Sequence, residues 1–126
     1  MLMQAMARQP GVMPPTMGQA AMAETSYGIK RNGVPQPAGA LFLPNELVTL
    51  FATEGIWLNS TFIFDIFSMA NGQRVFGPIE KRPGSFSNVA EVPLSLQFPT
   101  GQYALRITQL RPFQSDLILG FYFVIS

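Results

Sequence analysis

The sequence predicts an all-β protein, an antiparallel sandwich of about six or seven short strands carried behind a long extended N-terminal arm. Three observations lead there. Apolar and polar residues alternate over segments of strand length, with no sustained helical spacing, and turn-forming Gly, Pro and Asn separate those segments. Composition also changes near residue 40: six of the seven methionines (Met1, Met3, Met6, Met13, Met17, Met22) lie before it with Pro10, Pro14, Pro15, Pro35 and Pro37, while the phenylalanines begin at Phe42. The reading is therefore an arm over 1–40 and a sandwich domain over 41–126.

In the arm, Gly and Pro forbid one long helix, although Met1–Gln9 and Thr16–Glu24 favour helical turns. Its apolar side chains are mostly methionine and alanine. Methionine adapts to irregular apolar surfaces, so such an arm suits lying on another protein, with a disordered tail as the alternative of equal weight. Tyr27, with Gly28 and Ile29 behind it, is a candidate first anchor, and Gly33–Gly39 reads as an extended linker.

Strand signals start after Pro44. Glu46–Thr53 carries Leu47, Val48, Leu50 and Phe51. Thr61–Phe67 follows, with Phe62, Phe64 and Ile66 on one face and Ile63, Asp65 and Phe67 on the other. Asn71-Gly72 predicts a two-residue hairpin turn, because both central positions need positive φ, and Gln73–Ile79 returns. Val92, Leu94, Leu96 and Phe98 alternate with Pro93, Ser95 and Gln97; Pro99-Thr100-Gly101 turns the chain; Tyr103, Leu105 and Ile107 then alternate with Ala104, Arg106 and Thr108. Pro93 lacks an amide donor and so belongs at an edge or strand start. Leu117–Ile125 closes the domain with apolar residues on both faces, Leu117, Leu119, Phe121, Phe123 and Ile125 on one and Ile118, Tyr122 and Val124 on the other.

Composition excludes several chemistries. The 126 residues hold no cysteine and no histidine, which removes disulfides, thiolate metal sites and the usual general base and zinc ligand. The seven acids are scattered singly, and no phosphate-loop, G-x-S-x-G or H-E-x-x-H spacing occurs. An enzyme using carboxylates such as Asp65 and Glu80 is disfavoured, and no cofactor is expected. Charge is nearly balanced at +1, against nucleic-acid binding. No apolar run of about 18 residues exists, and Gln4, Arg8, Gln9 and Pro10 break up any secretory signal. The expectation is therefore no membrane partner and no export by the general secretory route.

The run Leu94–Leu105, with its Gly101-Gln102-Tyr103, resembles the late hairpin of immunoglobulin-like domains, in which a Gly-x-Tyr corner leads into the penultimate strand. That resemblance makes Tyr103 the corner tyrosine, its hydroxyl bonded to nearby backbone. The antibody cysteine pair is missing, and Trp57 precedes the second strand.

A small two-layer sandwich buries one face per strand, yet Thr61–Phe67 and Leu117–Ile125 are apolar on both. Self-association follows as an expectation. Partner-interface candidates are Met3, Met6, Met13, Met17 and Met22 in the arm, together with Tyr27, Trp57, Phe86, Phe113 and Tyr122. Trp57, between Ile56 and Leu58, reads as a core or interface anchor. Phe86 and Phe113 form a contact patch if their loops share one end of the sandwich; the sequence favours each tucking beneath its own loop. Arg74, Lys81 and Arg82 read as a solvated face.

Arm plus sandwich resembles the organisation of tailed-bacteriophage capsid decoration, or cement, proteins. The resemblance implies a non-enzymatic structural protein of the virion surface, assembled in the host cytoplasm, whose arm clamps a protein lattice such as the major capsid protein. It also implies a homo-oligomer, with a trimer as the copy number. The alternative is an extracellular immunoglobulin-like adhesive, filament or carbohydrate-binding module with Trp57, Tyr103 and Tyr122 facing its ligand.

Overall fold

A computed structural model describes residues 26–54, 59–84 and 86–126. Among the described residues nine strands occur: β1 (Ser26–Arg31), β2 (Val34–Pro35), β3 (Ala40–Phe42), β4 (Leu47–Thr53), β5 (Thr61–Ser68), β6 (Arg74–Lys81), β7 (Val89–Ser95), β8 (Gly101–Leu110) and β9 (Leu117–Ile125). They form two sheets, of order β2-β1-β4-β7 and β3-β9-β8-β5-β6. All pairings are antiparallel except β3 on β9, which is parallel. The chain changes sheet at every step from β2 to β5 and again from β6 to β8, which gives the immunoglobulin-like two-sheet arrangement.

Alternation explains the core. In β5, Phe62, Phe64 and Ile66 are fully buried, and in β8 Tyr103, Leu105 and Ile107 are buried between half-exposed neighbours. Ile29, Leu50, Ala52 and Val92 of the four-stranded sheet meet Phe42, Phe121, Phe123 and Ile125 of the other. Each side chain removed from water contributes about 1.5–3 kcal/mol. Together they hold the two sheets face to face.

Tyr103 is the corner tyrosine. Its hydroxyl donates to the Pro99 carbonyl at 2.6 Å, while its ring stacks on Phe123 with centroids 5.6 Å apart. Burial pushes its pKa above the ordinary phenol value.

Two expectations are corrected. The sandwich begins by Ser26 and not at 41, because β1 pairs with β4 from Ser26↔Thr53 to Lys30↔Thr49 and buries Ile29 completely. The supposed linker is structured too. Asn32-Gly33, at φ 51° and 78°, makes the two-residue hairpin turn between β1 and β2, with Arg31 opposite Val34. Arg31 then reaches Glu46 with Nε at 2.5 Å and Nη2 at 3.1 Å and donates to the Leu41 carbonyl. Hydrogen bonding by Arg31 holds the Glu46 carboxyl below its usual range. This fork fastens the crossing from one sheet to the other.

The second Asn-Gly does not make the expected two-residue turn. Only Gly72 has positive φ there, at 72°, and the connection is four residues long, with Ser68 N donating to Gln73 O and Gly72 N to Ser68 O. Beyond it the β5–β6 register shifts between Phe64 and Phe67. At the irregularity Gly77 has φ 92°, and a Cβ there would run into the Phe64 carbonyl. The site demands glycine.

Candidate interaction site

Strand register fixes which loops share an end. Thr61 lies opposite Leu110, Gln109 opposite Leu117 and Phe62 opposite Lys81. In the other sheet Thr53 lies opposite both Ser26 and Val89. The connections 54–60, 82–88 and 111–116 therefore emerge at one end of the sandwich. Ser26 begins β1 there as well.

Two aromatic rings project from that end. Phe86 is 99% exposed and Phe113 is 107% exposed, against the expectation that each tucks beneath its own loop. Both stand in the left-handed region, at φ 60° and 62°, where an L side chain crowds its own backbone. Hydrogen bonds on either side impose these conformations. In one loop Arg111 Nε and Nη2 donate to the Ser115 carbonyl at 3.1 and 2.7 Å, and Gln114 N donates to Arg111 O, which leaves Phe113 at the apex. In the other, Ser87 N donates to Gly84 O, Glu54 N to Asn88 O, and Asn88 Nδ2 to Glu54 O.

Beneath Phe86 lies a polar platform. Glu54 is 2% exposed and accepts from Ser60 N at 2.9 Å; Gln109 Nε2 donates to Ser60 Oγ at 2.8 Å. A shallow cleft of about 240 Å³ is lined by Glu54, Asn59, Ser60, Arg82, Pro83 and Phe86 among others. With two donors satisfied among buried groups, the loops rest on a fixed base.

Outward faces of the two sheets differ. On the four-stranded sheet Phe51 points outward but is 3% exposed, because Lys30 lies over its ring at 4.8 Å and is tied to Glu91 at 3.0 Å. The ion pair covers the middle of that face, while Leu47 at its margin is 76% exposed. On the five-stranded sheet Leu41, Ile118 and Tyr122 stay 62%, 66% and 59% exposed. At its centre Asp65, 2% exposed, meets Arg106 Nη2 at 3.1 Å and Arg74 Nε at 3.0 Å. The Arg74 approach lies off the line of a hydrogen bond, and among the described residues neither Asp65 Oδ1 nor Arg106 Nε has a hydrogen-bond partner. Both guanidiniums also lie over Phe67, at 5.7 and 4.8 Å.

The sequence candidates thus separate. Phe86 and Phe113 come together at one end. Tyr122 is exposed elsewhere, on the broad face beside Ala104 of β8. Tyr27 is partly buried against the core. Tyr103, 3% exposed, is lost as a ligand-facing residue. Arg74 belongs with Asp65, apart from Lys81, which pairs opposite Phe62. Met3, Met6, Met13, Met17, Met22 and Trp57 lie outside the described residues. Sequence reasoning missed Leu41 and Arg106, since neither the β3–β9 nor the β5–β8 register is written in local alternation. Ile118 was visible as a member of the outward face of the last strand.

Among the described residues no group of three or more acidic or other metal-ligating side chains converges, and no helix is long and apolar enough to cross a membrane. No family model matches the sequence, and no curated protein matches it. Among solved structures the domain is similar to PcoC, a methionine-rich copper-resistance protein from Escherichia coli, with a TM-score of 0.39 and 16% identity over 71% of this chain and 89% of that one. A likeness of that size carries no functional argument.

Proposed function

We propose that this protein is a non-enzymatic assembly protein of the capsid decoration kind, fixed to a protein lattice through the loop end of its sandwich and the segment 1–25 that enters the domain beside it. One observation carries the reading: Phe86 and Phe113 present two bare rings at the same end, each on left-handed backbone that favours glycine or asparagine over an aromatic residue. Neither ring stabilises the domain in which it stands. Rings displayed in that way suit insertion into pockets of another polypeptide, where buried aromatics supply most of the binding energy.

Each ring, once buried, contributes about 2 kcal/mol, so the pair is worth about 4 kcal/mol, or roughly a thousandfold in affinity. The test is cosedimentation with native particles from which the protein has first been released. Wild type is expected to rebind, and Phe86→Gly/Phe113→Gly is expected to lose binding while remaining folded. Undiminished rebinding by that variant overturns the assignment, as does native protein that fractionates as a small free species.

A further inference from the structure

We infer that the outward face of the five-stranded sheet joins two copies of this chain about a two-fold axis. The inference deepens the assembly reading by naming the surface between copies, and it rests on that reading only for the purpose such a pair would serve. Leu41, Ile118 and Tyr122 are more than half exposed there, whereas the opposite face covers its own aromatic with Lys30 and Glu91. The four-stranded sheet bares Leu47 at the start of β4, whereas the five-stranded sheet bares three large apolar side chains that lie together along β3 and β9.

Proline interrupts the outermost strands. Of the four edge strands, β2 contains Pro35, β7 contains Pro93 and β6 contains Pro78, while β3 is three residues long and lies between Pro37 and Pro44. Proline has no amide to donate, so each long edge is blunted against strand addition. Strand addition is left to the short uncovered stretches of β1 and β9 that β2 and β3 do not reach, a smaller surface than the broad face.

Area, charge and shape then favour a second copy on this face. Strands of 8 to 10 residues rise ~3.3 Å per residue and lie ~4.8 Å apart, giving a face of roughly 600–800 Å². That is near the ~800 Å² per partner of a standard interface. Register places Asp65, Arg106 and Arg74 on this face with Glu80, which lies opposite the outward Ile63. Two acids balance two arginines, so the face meets itself without net repulsion. Gly120 sits opposite Arg106, and nothing lies within 4 Å of where its Cβ would be. It leaves a notch between Ile118 and Tyr122, and a two-fold contact that seats a side chain in one notch does the same in the other.

The test is the mass of the full-length chain in solution, by light scattering and sedimentation from roughly 1 to 200 μM, which reaches the weak end of the range that interfaces of this area span. Wild type is expected to be a dimer. Ile118→Glu/Tyr122→Glu is expected to weaken it at least tenfold, with the thermal midpoint confirming that the variant folds. Should that variant not fold, Gly120→Cys supplies the second reading: the chain has no other cysteine, and a short bis-maleimide should link copies through it. A wild-type monomer throughout the range overturns the inference, as does a dimer or trimer indifferent to these substitutions. Phe86→Gly/Phe113→Gly should leave the mass unchanged, so loss of lattice binding and loss of pairing are read separately.

Discussion

Replacing Phe86 and Phe113 together by glycine removes two large apolar side chains from an 11-phenylalanine protein, and the domain should not become less stable. Both rings are fully exposed, so no burial is forfeited, whereas a core Phe→Ala change costs about 3–5 kcal/mol. Holding an L residue in the left-handed region costs about 1–2 kcal/mol, which glycine relieves. Glycine also gives the unfolded chain more freedom, which takes back about 0.5–1 kcal/mol per site. The net expectation is a gain of about 0.5 kcal/mol at each position, or about 1 kcal/mol for the pair. For a domain of this size that raises the thermal midpoint by roughly 4–8 °C. Urea unfolding followed by circular dichroism, with midpoint and slope both fitted, measures it. A loss of more than about 1 kcal/mol, well outside the expected gain, would mean that the rings support their own loops and are not presented to a partner.

Three further outcomes follow from the fold. Tyr103→Phe keeps the ring but deletes the bond to Pro99, so it should cost about 1 kcal/mol in urea unfolding. Because the folded phenol is raised above its ordinary value of 10, that part of stability is intact below the unfolded pKa and is lost as pH rises through the folded one; Tyr103→Phe should flatten this alkaline loss. Glu46 has the opposite sign: its folded pKa lies below the ordinary 4.5, so its contribution is present above that value and disappears as pH falls through the folded value. Glu46→Gln should remove this acid-side dependence, seen as a smaller change in urea midpoint between pH 6 and the acid limb. Gly77→Ala forces a Cβ onto the Phe64 backbone at a φ of 92°, and should cost at least about 2 kcal/mol or shift the register of β6, read by thermal melting and amide exchange.

Alternation made most of the sandwich legible. Phe62, Phe64 and Ile66 face inward as their period of two requires, and the Gly-x-Tyr run marked Tyr103 before any contact was known. Local turn chemistry was harder to place. Asn32-Gly33 and Asn71-Gly72 carry the same signal, yet only the first closes a two-residue hairpin, because the register irregularity at Gly77 lengthens the other connection. The domain boundary was hidden for a related reason: Ser26–Arg31 is too short and polar to read as a strand, and it becomes one by pairing with β4.

Site residues divide along the same line. Phe86 and Phe113 were visible as loop aromatics, but their common end depends on pairings between distant strands, and their exposure depends on hydrogen bonds that fix the loop apices. The arginine pair around Asp65 needed the β5–β8 and β5–β6 registers together. Non-local geometry of that kind leaves no mark on a short stretch of sequence.

Subnanometre imaging of the native assembly tests the central claim most directly. The account predicts sandwiches seated with the 82–88 and 111–116 loops pressed into neighbouring subunits of another protein, and the two aromatic rings buried there. Density in which that end points into open solvent, with contact made elsewhere on the domain, would contradict it.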